Sequence, residues 1–440
     1  MNPPPPAAPD PGSSSGQTSL PAFSPAFLAR RSSLFLSIGF MYSSYYMCRY
    51  NWNVANKAIG DAFHFSNREL GWVGTASFWS YALGQLVNGP IIDRVGGKRA
   101  ILIGAAGTIL FNLLLAFGTN FGTHLHVLGY FIAVWGLNGY FQAFGASSLV
   151  KVNSNWLRRQ ERGIFTGIFG FMIQLGRWAT TALGGWLLVR YPWPAAFIVP
   201  PVVTLIIAVL TWIVVADNPE DLGFAPVEPG AEKSHHASPL DALRLVLNTR
   251  PLWYIAGAYF CTGVVRHGLD QWYAKYLQEV HHLPTDSWTF QLTSFGIPVA
   301  AVCGSFFAGF LSDRVFGSRR APAAAVMYFG QLVVLLVFVR VSGPVLSGVL
   351  LMAAQFFVNG PHSLLGGAAA MDFGGRKSAG SAAGMIDFFQ YVGAGLTGFG
   401  LGYILDTVGW SGWAGSLTGF ALLAGLLMCA IWKVTPARPA

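Results

Sequence analysis

Two stretches, GPIIDRVGGKRA at 89–100 and GFLSDRVFGSRRA at 309–321, decide the fold of this chain. In both, an Asp-Arg-Val triplet begins four residues after a glycine and is followed by basic residues. The two stretches lie 220 residues apart in a chain of 440 residues. Because a segment repeated at a fixed offset is the sequence signature of a duplicated unit, this spacing predicts two homologous halves.

Other positions support the duplication at a slightly different offset. At 217 residues, Arg49 falls on Arg266. Further pairs coincide at the same offset, namely Gly163 with Gly380, Gly167 with Gly384, Gly176 with Gly393, and Trp193 with Trp410. Glycine accounts for 53 of the 440 residues, so some glycine pairs are expected by chance. Chance does not explain the arginine pair or the two Asp-Arg-Val hairpins.

The composition excludes an ordinary water-soluble globule. Hydrophobic residues make up 53% of the chain and charged residues only 10%, whereas charged residues make up about a quarter of soluble domains. Apolar runs of about 20 residues recur along the chain, and this is the length that an α-helix needs to cross a bilayer. We therefore predict an all-α membrane protein and not an outer-membrane barrel, whose strands would give shorter alternating segments.

Polar, glycine and proline positions divide the chain into twelve candidate transmembrane helices, six in each half. These are predicted to begin near Leu34, Leu70, Ala100, Val127, Gly163, Pro194, Pro251, Trp288, Ala321, Pro344, Ala379 and Ser411. The expected organisation is a disordered tail at 1–29, an N-terminal six-helix bundle at 30–216, a central cytoplasmic loop at 217–250 and a C-terminal six-helix bundle at 251–440. The tail is predicted from its Pro/Ser/Gly-rich composition.

The distribution of lysine and arginine predicts the orientation. With a cytoplasmic N-terminus, 19 of the 27 basic residues fall in inside segments, as expected for short cytoplasmic loops. We therefore expect a multi-pass protein of the cytoplasmic membrane with both termini inside. The net charge of +9 is spread over these loops without an aromatic-interleaved basic patch, so no nucleic-acid partner is expected.

No cofactor or metal is expected from the sequence. The four cysteines all lie within predicted helices and lack metal-ligand spacing. They are Cys48, Cys261, Cys303 and Cys429. Small-hydrophobe packing is the interpretation that this placement favours. Histidine pairs occur in predicted loops, where a hydrated surface position is more common than a metal site.

Arg49 lies in the middle of a predicted transmembrane helix, in the segment YYMCRYNWN, and Arg266 is its counterpart in the second half. Each arginine at mid-membrane costs roughly 2.5 to 3.5 kcal/mol, so the pair requires compensation. Residues on the same helix face as Arg49 are polar or aromatic, namely Tyr42, Tyr45, Tyr46, Asn53 and Asn56. Because guanidinium groups bind oxyanions bidentately, we predict that both arginines face one central cavity and bind a phosphate or carboxylate there. We call this pair the anion clamp.

Other ionisable residues within the predicted helices leave alternatives open. Asp270 lies one helical turn from Arg266, so it either neutralises Arg266 or pairs with it only when the cavity is empty. Arg177 has no counterpart in the second half and either extends the anion site or pairs with Asp387. His362 either contacts substrate, takes a proton or makes a structural hydrogen bond.

The chain resembles a known family. Its two six-helix halves and its first hairpin are similar to the major facilitator superfamily. Within it, the chain resembles the organophosphate:phosphate antiporters over about residues 35–435. The motifs that carry this resemblance are YYMCRYNWNVA, NWLRRQERG, DNPEDLGFAP, WYIAGAYFCTGVVRHGLDQWYAKYLQEV and GRKSAGSAAGMIDFFQYVG.

The resemblance implies a function and a site. It implies that Arg49 and Arg266 hold a phosphate, and that tyrosines line the cavity, namely Tyr42, Tyr46, Tyr81 and Tyr391. It also implies rocking of the halves in a monomer that exchanges an organic phosphate ester for inorganic phosphate. The ester would resemble a sugar phosphate, glycerol phosphate or phosphoglycerate. Gln85, Ile173 and Asn359 stand where the glycerol-3-phosphate type has lysine, histidine and tyrosine, so the organic group stays open.

Two other functions compete with the antiporter. One is a proton-coupled symporter of an organic carboxylate, in which Asp270, Asp387 or His362 takes the proton. The other is a membrane sensor that binds a sugar phosphate and signals to a partner. An enzyme is disfavoured, because the sequence has no Ser/His/Asp, Cys/His or phosphate-loop constellation.

Overall fold

The computed structural model describes residues 23–118, 123–158, 161–227, 248 and 250–434, with side chains except at 162–164, 166, 167 and 367–385. Within these ranges the protein is helical and has no strand. The N-half contains α1 (Pro25–Phe63), α2 (Asn67–Val95), α3 (Gly97–Phe117), α4 (His124–Gln142), α5 (Phe144–Trp156), α6 (Arg162–Arg190) and α7 (Ala195–Val214). The C-half contains α8 (Arg250–Glu279), α9 (Trp288–Phe310), α10 (Arg320–Phe338), α11 (Pro344–Ser363), α12 (Ala370–Thr407) and α13 (Trp410–Ala430).

The helices of the described chain form twelve rods, as the sequence predicts. Only Ala143 separates α4 from α5, so these two helices together make the fourth rod. Short helical turns extend the ends of some rods, at Pro219–Leu222, Leu311–Val315 and Leu364–Ala369. Most rods begin within three residues of the predicted starts, and the first and eleventh begin about nine residues earlier.

The first helix corrects the predicted tail of residues 1–29. Helix α1 begins at Pro25, because the Ser24 hydroxyl accepts a hydrogen bond from the Phe27 N–H at 3.2 Å and proline suits the first helical turn. Phe27 is buried and stacks on Trp156 with 5.6 Å between ring centroids. The rest of the predicted tail, at 1–22, and most of the central loop lie outside the described residues.

The two halves repeat the same packing arrangement. In the N-half, α1 packs against α6 and α7, and α2 packs against α4; in the C-half, α8 packs against α12 and α13, and α9 against α11. Across the halves, α2 packs against α12, α6 against α9 and α1 against α8. The predicted pseudo-symmetric six-helix bundles are therefore confirmed, and their shared boundary runs through α1 and α8, the helices that carry Arg49 and Arg266.

Hydropathy divides the helices by position. Among the described residues, six helical segments are long and apolar enough to cross a membrane by composition alone, and they contain α3, α7, α9, α10, α11 and α13. Five helices that meet across the halves, namely α1, α2, α6, α8 and α12, do not meet this criterion. These helices carry charged and amide side chains toward the centre, as expected for polar residues placed away from lipid.

Three of the sequence motifs meet at one end of the N-half. The Asp217 carboxylate accepts a hydrogen bond from the Lys98 N–H at 2.8 Å, at the first turn of α3. Asn155 donates to the Asp217 carbonyl oxygen at 3.1 Å, and the Trp156 indole donates to the Ala216 carbonyl oxygen at 3.0 Å. The first hairpin, the NWLRRQERG motif and the DNPEDLGF motif therefore stabilise one another, and residues 217–227 pack on the N-half.

Contacts between the halves concentrate at the end where α1 ends and α2 begins, which the sequence predicts to be the outer side. The Asp406 carboxylate accepts hydrogen bonds from the N–H groups of Asn67 at 3.0 Å and Arg68 at 2.8 Å, at the start of α2. Lys275 donates to the Asn67 side chain at 2.6 Å, and Thr285 donates to the Gly185 carbonyl oxygen at 2.8 Å. We call this end the closed face.

Glycines allow α2 and α12 to approach closely near the closed face. A Cβ atom added at Gly398 would overlap the carbonyl oxygen of Gly71, and one at Gly71 would overlap the Gly398 backbone. Between them, the Thr75 hydroxyl donates to the Gly395 carbonyl oxygen at 2.6 Å and accepts from the Phe399 N–H at 3.0 Å. Any side chain at Gly71 or Gly398 must therefore push the two halves apart.

We predict that Gly398→Leu opens the closed face. In a Ser77→Cys background, a membrane-impermeant thiol reagent applied from the outer side should label Cys at position 77 about tenfold faster, because the helices can no longer meet. Labelling rates in intact cells provide the measurement. The matched control is Gly400→Leu, since a Cβ at Gly400 meets open space. Equal labelling of the two leucine variants would contradict the prediction.

Candidate functional site

Arg49 is held on α1 by an amide of its own half. Its Nε and Nη2 atoms donate to the Gln142 Oε1 atom at 3.2 and 3.1 Å. Gln142 is the last residue of α4, and its Nε2 atom donates to the Tyr45 carbonyl oxygen at 3.0 Å, which fixes the amide orientation. The Arg49 guanidinium lies over the rings of Tyr46 and Tyr81, at 5.0 and 4.4 Å from their centroids. Amide and ring contacts therefore orient this cation without neutralising it.

Arg266 on α8 is held in the same way. Its Nε atom donates to the Asn359 Oδ1 atom at 3.2 Å. The Asn359 amide in turn donates to the carbonyl oxygen and to the side-chain oxygen of Gln355, at 2.8 and 2.9 Å. Gln142 and Asn359 are 217 residues apart, as are Arg49 and Arg266, so the duplication includes each arginine together with its amide partner.

The anion clamp carries unneutralised charge. Within the part of the chain that the structure describes, neither Arg49 nor Arg266 has a carboxylate within 4 Å, and both guanidinium groups are half-buried. Each guanidinium retains N–H donors that its amide partner does not engage. The pair can therefore accept an anion without first losing an internal ion pair.

Asp270 pairs across the halves with Arg177. Arg177 on α6 and Asp270 on α8 form an ion pair, and both side chains are almost fully buried. Asp270 also accepts hydrogen bonds from the Tyr50 hydroxyl at 3.2 Å and the Gln355 amide at 2.8 Å. The Arg177 guanidinium lies 4.7 Å from the Tyr50 ring centroid.

This pairing corrects two interpretations of the sequence. Asp270 does not neutralise Arg266, and Arg177 pairs with Asp270 instead of Asp387. The four-residue spacing places Asp270 on the same side of α8 as Arg266, but α6 brings Arg177 closer to the carboxylate than the guanidinium one turn away. Asp387 is half-buried on α12 and makes no ion pair with any described residue.

The structure brings the predicted tyrosines together around Arg49. Tyr42 contacts Tyr46 edge to face, with 5.4 Å between ring centroids, and Tyr46 stacks on Tyr50 at 5.8 Å. Tyr81 on α2 contacts Tyr391 on α12 at 4.6 Å, which joins the halves beside the clamp. Gln85 donates to the Tyr81 hydroxyl at 2.9 Å, so it orients that ring and does not contact Arg49 directly.

His362 belongs to a hydrogen-bonded cluster within the C-half. Its Nδ1 atom lies 2.7 Å from the Tyr259 hydroxyl and 3.2 Å from the Gln390 Nε2 atom. The His362 and Tyr259 rings stack with 5.4 Å between centroids. These contacts favour a structural role over a role in contacting substrate.

A cavity lies between α1, α2 and α8, next to the clamp. Arg49 and Asp270 both line it, and so do residues that the sequence does not single out, namely Tyr50, Trp52, Asn53, Gly74, Ser77, Phe78, Trp135, His267 and Gln271. Among the described residues, no group of three or more His, Cys, Asp or Glu side chains is arranged to hold a metal ion. The cavity therefore offers neutral polar and aromatic groups beside one cation and one carboxylate.

We predict that Arg177→Gln and Asp270→Asn each lower the free energy of unfolding by about 3–5 kcal/mol, because each leaves a buried charge without its partner. The double variant should lose less than the sum of the two single variants. Thermal unfolding of the purified protein in detergent measures both effects. Lys57→Gln serves as a control, since the Lys57–Asp61 pair is more exposed and should contribute less than about 1 kcal/mol. Additive losses would contradict a direct Arg177–Asp270 interaction.

Comparison with known proteins gives consistent relationships. The family model described as Major Facilitator Superfamily matches residues 38–398. The chain is 28% identical over 424 residues to a probable hexose phosphate transport protein of Chlamydia pneumoniae, covering 91% of each chain. It is 28% identical over 425 residues to a glycerol-3-phosphate transporter of Bacillus subtilis, covering 93% of this chain and 94% of the relative.

A third relative has a different role. The chain is 25% identical over 413 residues to the membrane sensor protein UhpC of Escherichia coli, covering 90% of this chain and 91% of the relative. Among solved structures, a bacterial homolog of the human lysosomal transporter Spinster, inward-facing and unoccupied, matches with a TM-score of 0.74 and 14% identity. That match covers 94% of this chain and 100% of the other. It concerns the fold alone.

Proposed function

The chain belongs to the Major Facilitator Superfamily, and on this basis we propose that it exchanges an organic phosphate ester for inorganic phosphate across the cytoplasmic membrane. The resemblance to organophosphate transporters is confirmed by relatives named for hexose phosphate and glycerol-3-phosphate transport, so the coarse function is organophosphate transport. The exchange reaction, the monomeric state and the cytoplasmic termini are parts of the proposal.

The anion clamp is the observation that carries this proposal. Arg49 and Arg266 occupy equivalent positions in the two halves, and each is oriented by an amide in place of a carboxylate. Arg177 and Asp270 neutralise each other, so an unpaired positive charge remains at the clamp. A phosphate group supplies the compensating charge and matches the fork of guanidinium donors.

The arrangement of the halves supports alternating access as the transport mechanism. The halves meet through α1 with α8, α2 with α12 and α6 with α9, and the clamp lies at the first of these contacts. The printed hydrogen bonds between the halves lie at the closed face or at the level of the clamp. We propose that the two halves rock about the clamp, so that the anion faces each side of the membrane in turn.

Exchange in proteoliposomes tests the proposed function. Liposomes containing the protein are loaded with labelled phosphate and challenged in turn with glycerol-3-phosphate, hexose phosphates, phosphoglycerates and simple carboxylates. We expect efflux of labelled phosphate only when an ester or phosphate is present outside. Absence of counterflow with every phosphate compound would overturn the proposal.

We predict that Arg49→Lys and Arg266→Lys each lower the rate of phosphate exchange roughly 100-fold, because lysine keeps the charge but loses the bidentate fork. Initial rates of labelled phosphate efflux provide the measurement. Arg340→Lys is the control, since Arg340 lies exposed at the end of α10. If either clamp variant exchanged phosphate as fast as Arg340→Lys, bidentate recognition would be refuted.

We also predict that Gln142→Glu and Asn359→Asp each weaken phosphate binding about tenfold or more, because an internal carboxylate would then occupy the guanidinium donors. The half-saturating concentration of external phosphate in the exchange assay measures this effect. Gln142→Met, which removes the amide without adding charge, should weaken binding less than Gln142→Glu. The reverse order would show that the amide acts by position alone and that the free charge does not matter.

Asp387 favours one second candidate function. Its half-buried carboxylate makes no ion pair with the described residues, so it can take a proton in a symporter of an organic carboxylate. Asp270 is less suited to this role, because it already accepts hydrogen bonds from Tyr50 and Gln355 besides its ion pair. Uptake of a carboxylate driven by a pH gradient, and abolished by Asp387→Asn, would establish this alternative.

The sensor alternative is separated by the same assay. A protein that binds hexose phosphate with an intact clamp, yet exchanges no phosphate compound, would fit a sensor better than a transporter. Binding without exchange therefore distinguishes these two functions, whereas loss of both would point to a different ligand.

A further inference from the structure

The cavity beside Arg49 contains buried donors that the phosphate clamp does not use. The indole Nε1 atom of Trp52, the amide Nε2 atom of Gln271 and the imidazole Nε2 atom of His267 line or border this cavity. Within the described residues, none of these three atoms has a hydrogen-bond partner. The side chains are 1%, 1% and 5% exposed, so bulk water does not reach them freely. Unpaired buried donors cost stability, which indicates that they are retained for a ligand.

The surroundings of Gln271 fix its free donor toward the cavity. Thr397 on α12 lies 3.5 Å from the Gln271 Oε1 atom and engages the carbonyl end of the amide. On the opposite side, Gly74 leaves the room that the amide occupies, because a Cβ at that position would lie 2.6 Å from Nε2. A larger residue at position 74 would therefore displace this donor.

The His267 ring is held between the two halves. It packs against Phe78 on α2 with 4.8 Å between ring centroids, and against Tyr391 on α12 with 5.7 Å. Phe78 and Trp135 provide an aromatic wall to the same cavity. The cavity thus combines apolar ring faces with several directional polar groups, the usual composition of a small-molecule site.

The charges of the cavity define the chemistry of the ligand. Asp270 is already engaged by Arg177, Tyr50 and Gln355, and Arg49 is the only cation that lines the described cavity. A second anionic group on the ligand would therefore find no partner. Neutral donors and the Ser77 hydroxyl instead suit a ligand with several hydroxyl groups, each of which both donates and accepts.

We propose that this cavity holds the organic portion of the transported ester, and that this portion carries several hydroxyl groups, as in a sugar or polyol. The inference rests on the proposed function, because the phosphate is taken to lie at Arg49 and Arg266. Trp52 and Gln271 follow those arginines on α1 and α8 in the direction of the closed face. The organic portion therefore extends from the clamp toward the closed face, and Trp52, His267 and Gln271 decide which ester is accepted.

Competition in the exchange assay tests this assignment. Labelled phosphate exchange is inhibited with a hexose phosphate and, separately, with methyl phosphate, an ester that has no hydroxyl group on its organic portion. The ratio of the two half-inhibitory concentrations measures recognition of the hydroxyl groups, and a general folding defect does not change it. In Gln271→Leu and Trp52→Phe we expect the preference for the hexose phosphate to fall about tenfold, as a lost directional hydrogen bond predicts.

A matched control is available in the same protein. Gln331 on α10 is also fully buried with an amide that lacks a partner among the described residues, but it does not line the cavity. Gln331→Leu should leave the preference unchanged. Gly74→Ala keeps every donor and fills the space beside Gln271, so it should lower the preference in the same direction as Gln271→Leu.

The outcomes separate this inference from the proposed function. If the unmodified protein exchanges phosphate but Gln271→Leu and Trp52→Phe keep its preference, the donors are satisfied by water only and the inference is overturned. If the unmodified protein exchanges no phosphate, the proposed function fails. The inference is then decided by thermal shift: hexose phosphate must stabilise the unmodified protein more than methyl phosphate and lose this advantage in Gln271→Leu, and any other result overturns it.

Discussion

Burying guanidinium groups between helices in a membrane costs free energy, and this protein offsets that cost in two different ways. Arg177 is neutralised directly by Asp270 from the other half. Arg49 and Arg266 instead receive neutral amides and aromatic rings, which orient each cation and leave its charge available. One arginine therefore serves to join the halves, while the other two remain ready for an exogenous anion.

Asp270 connects the clamp to the contact between the halves. Its carboxylate receives Arg177 and Tyr50 from the N-half, and its backbone carbonyl oxygen accepts from Asn53 at 3.0 Å. Any movement that separates α1 and α6 from α8 must break these bonds or carry Asp270 with it. Because an unpaired buried carboxylate is costly, the network resists partial separation and favours two well-defined arrangements of the halves.

Sequence reasoning found what is local or repeated and missed what depends on packing. The duplicated hairpins predict the two bundles, and the 217-residue offset predicts the arginine pair. The same offset relates Gln142 to Asn359, so the amide partners were within reach, although Asn359 was interpreted only as a departure from a tyrosine. The Arg177–Asp270 pair left no such signal, because it depends on how α6 and α8 meet across the halves. The unpaired donors of Trp52, His267 and Gln271 became apparent only once three helices enclosed a common space.

Each half carries its own arginine together with the amide that orients it. Arg49 and Gln142 both belong to the N-half, and Arg266 and Asn359 both belong to the C-half. If the halves move as rigid bodies, the geometry within each pair stays constant and only the distance between the pairs changes. The clamp then behaves as a caliper, whose grip on an anion depends on a single coordinate. A bound phosphate would report that separation, and its affinity would rise or fall with the opening of the protein and not with rearrangement of any one side chain.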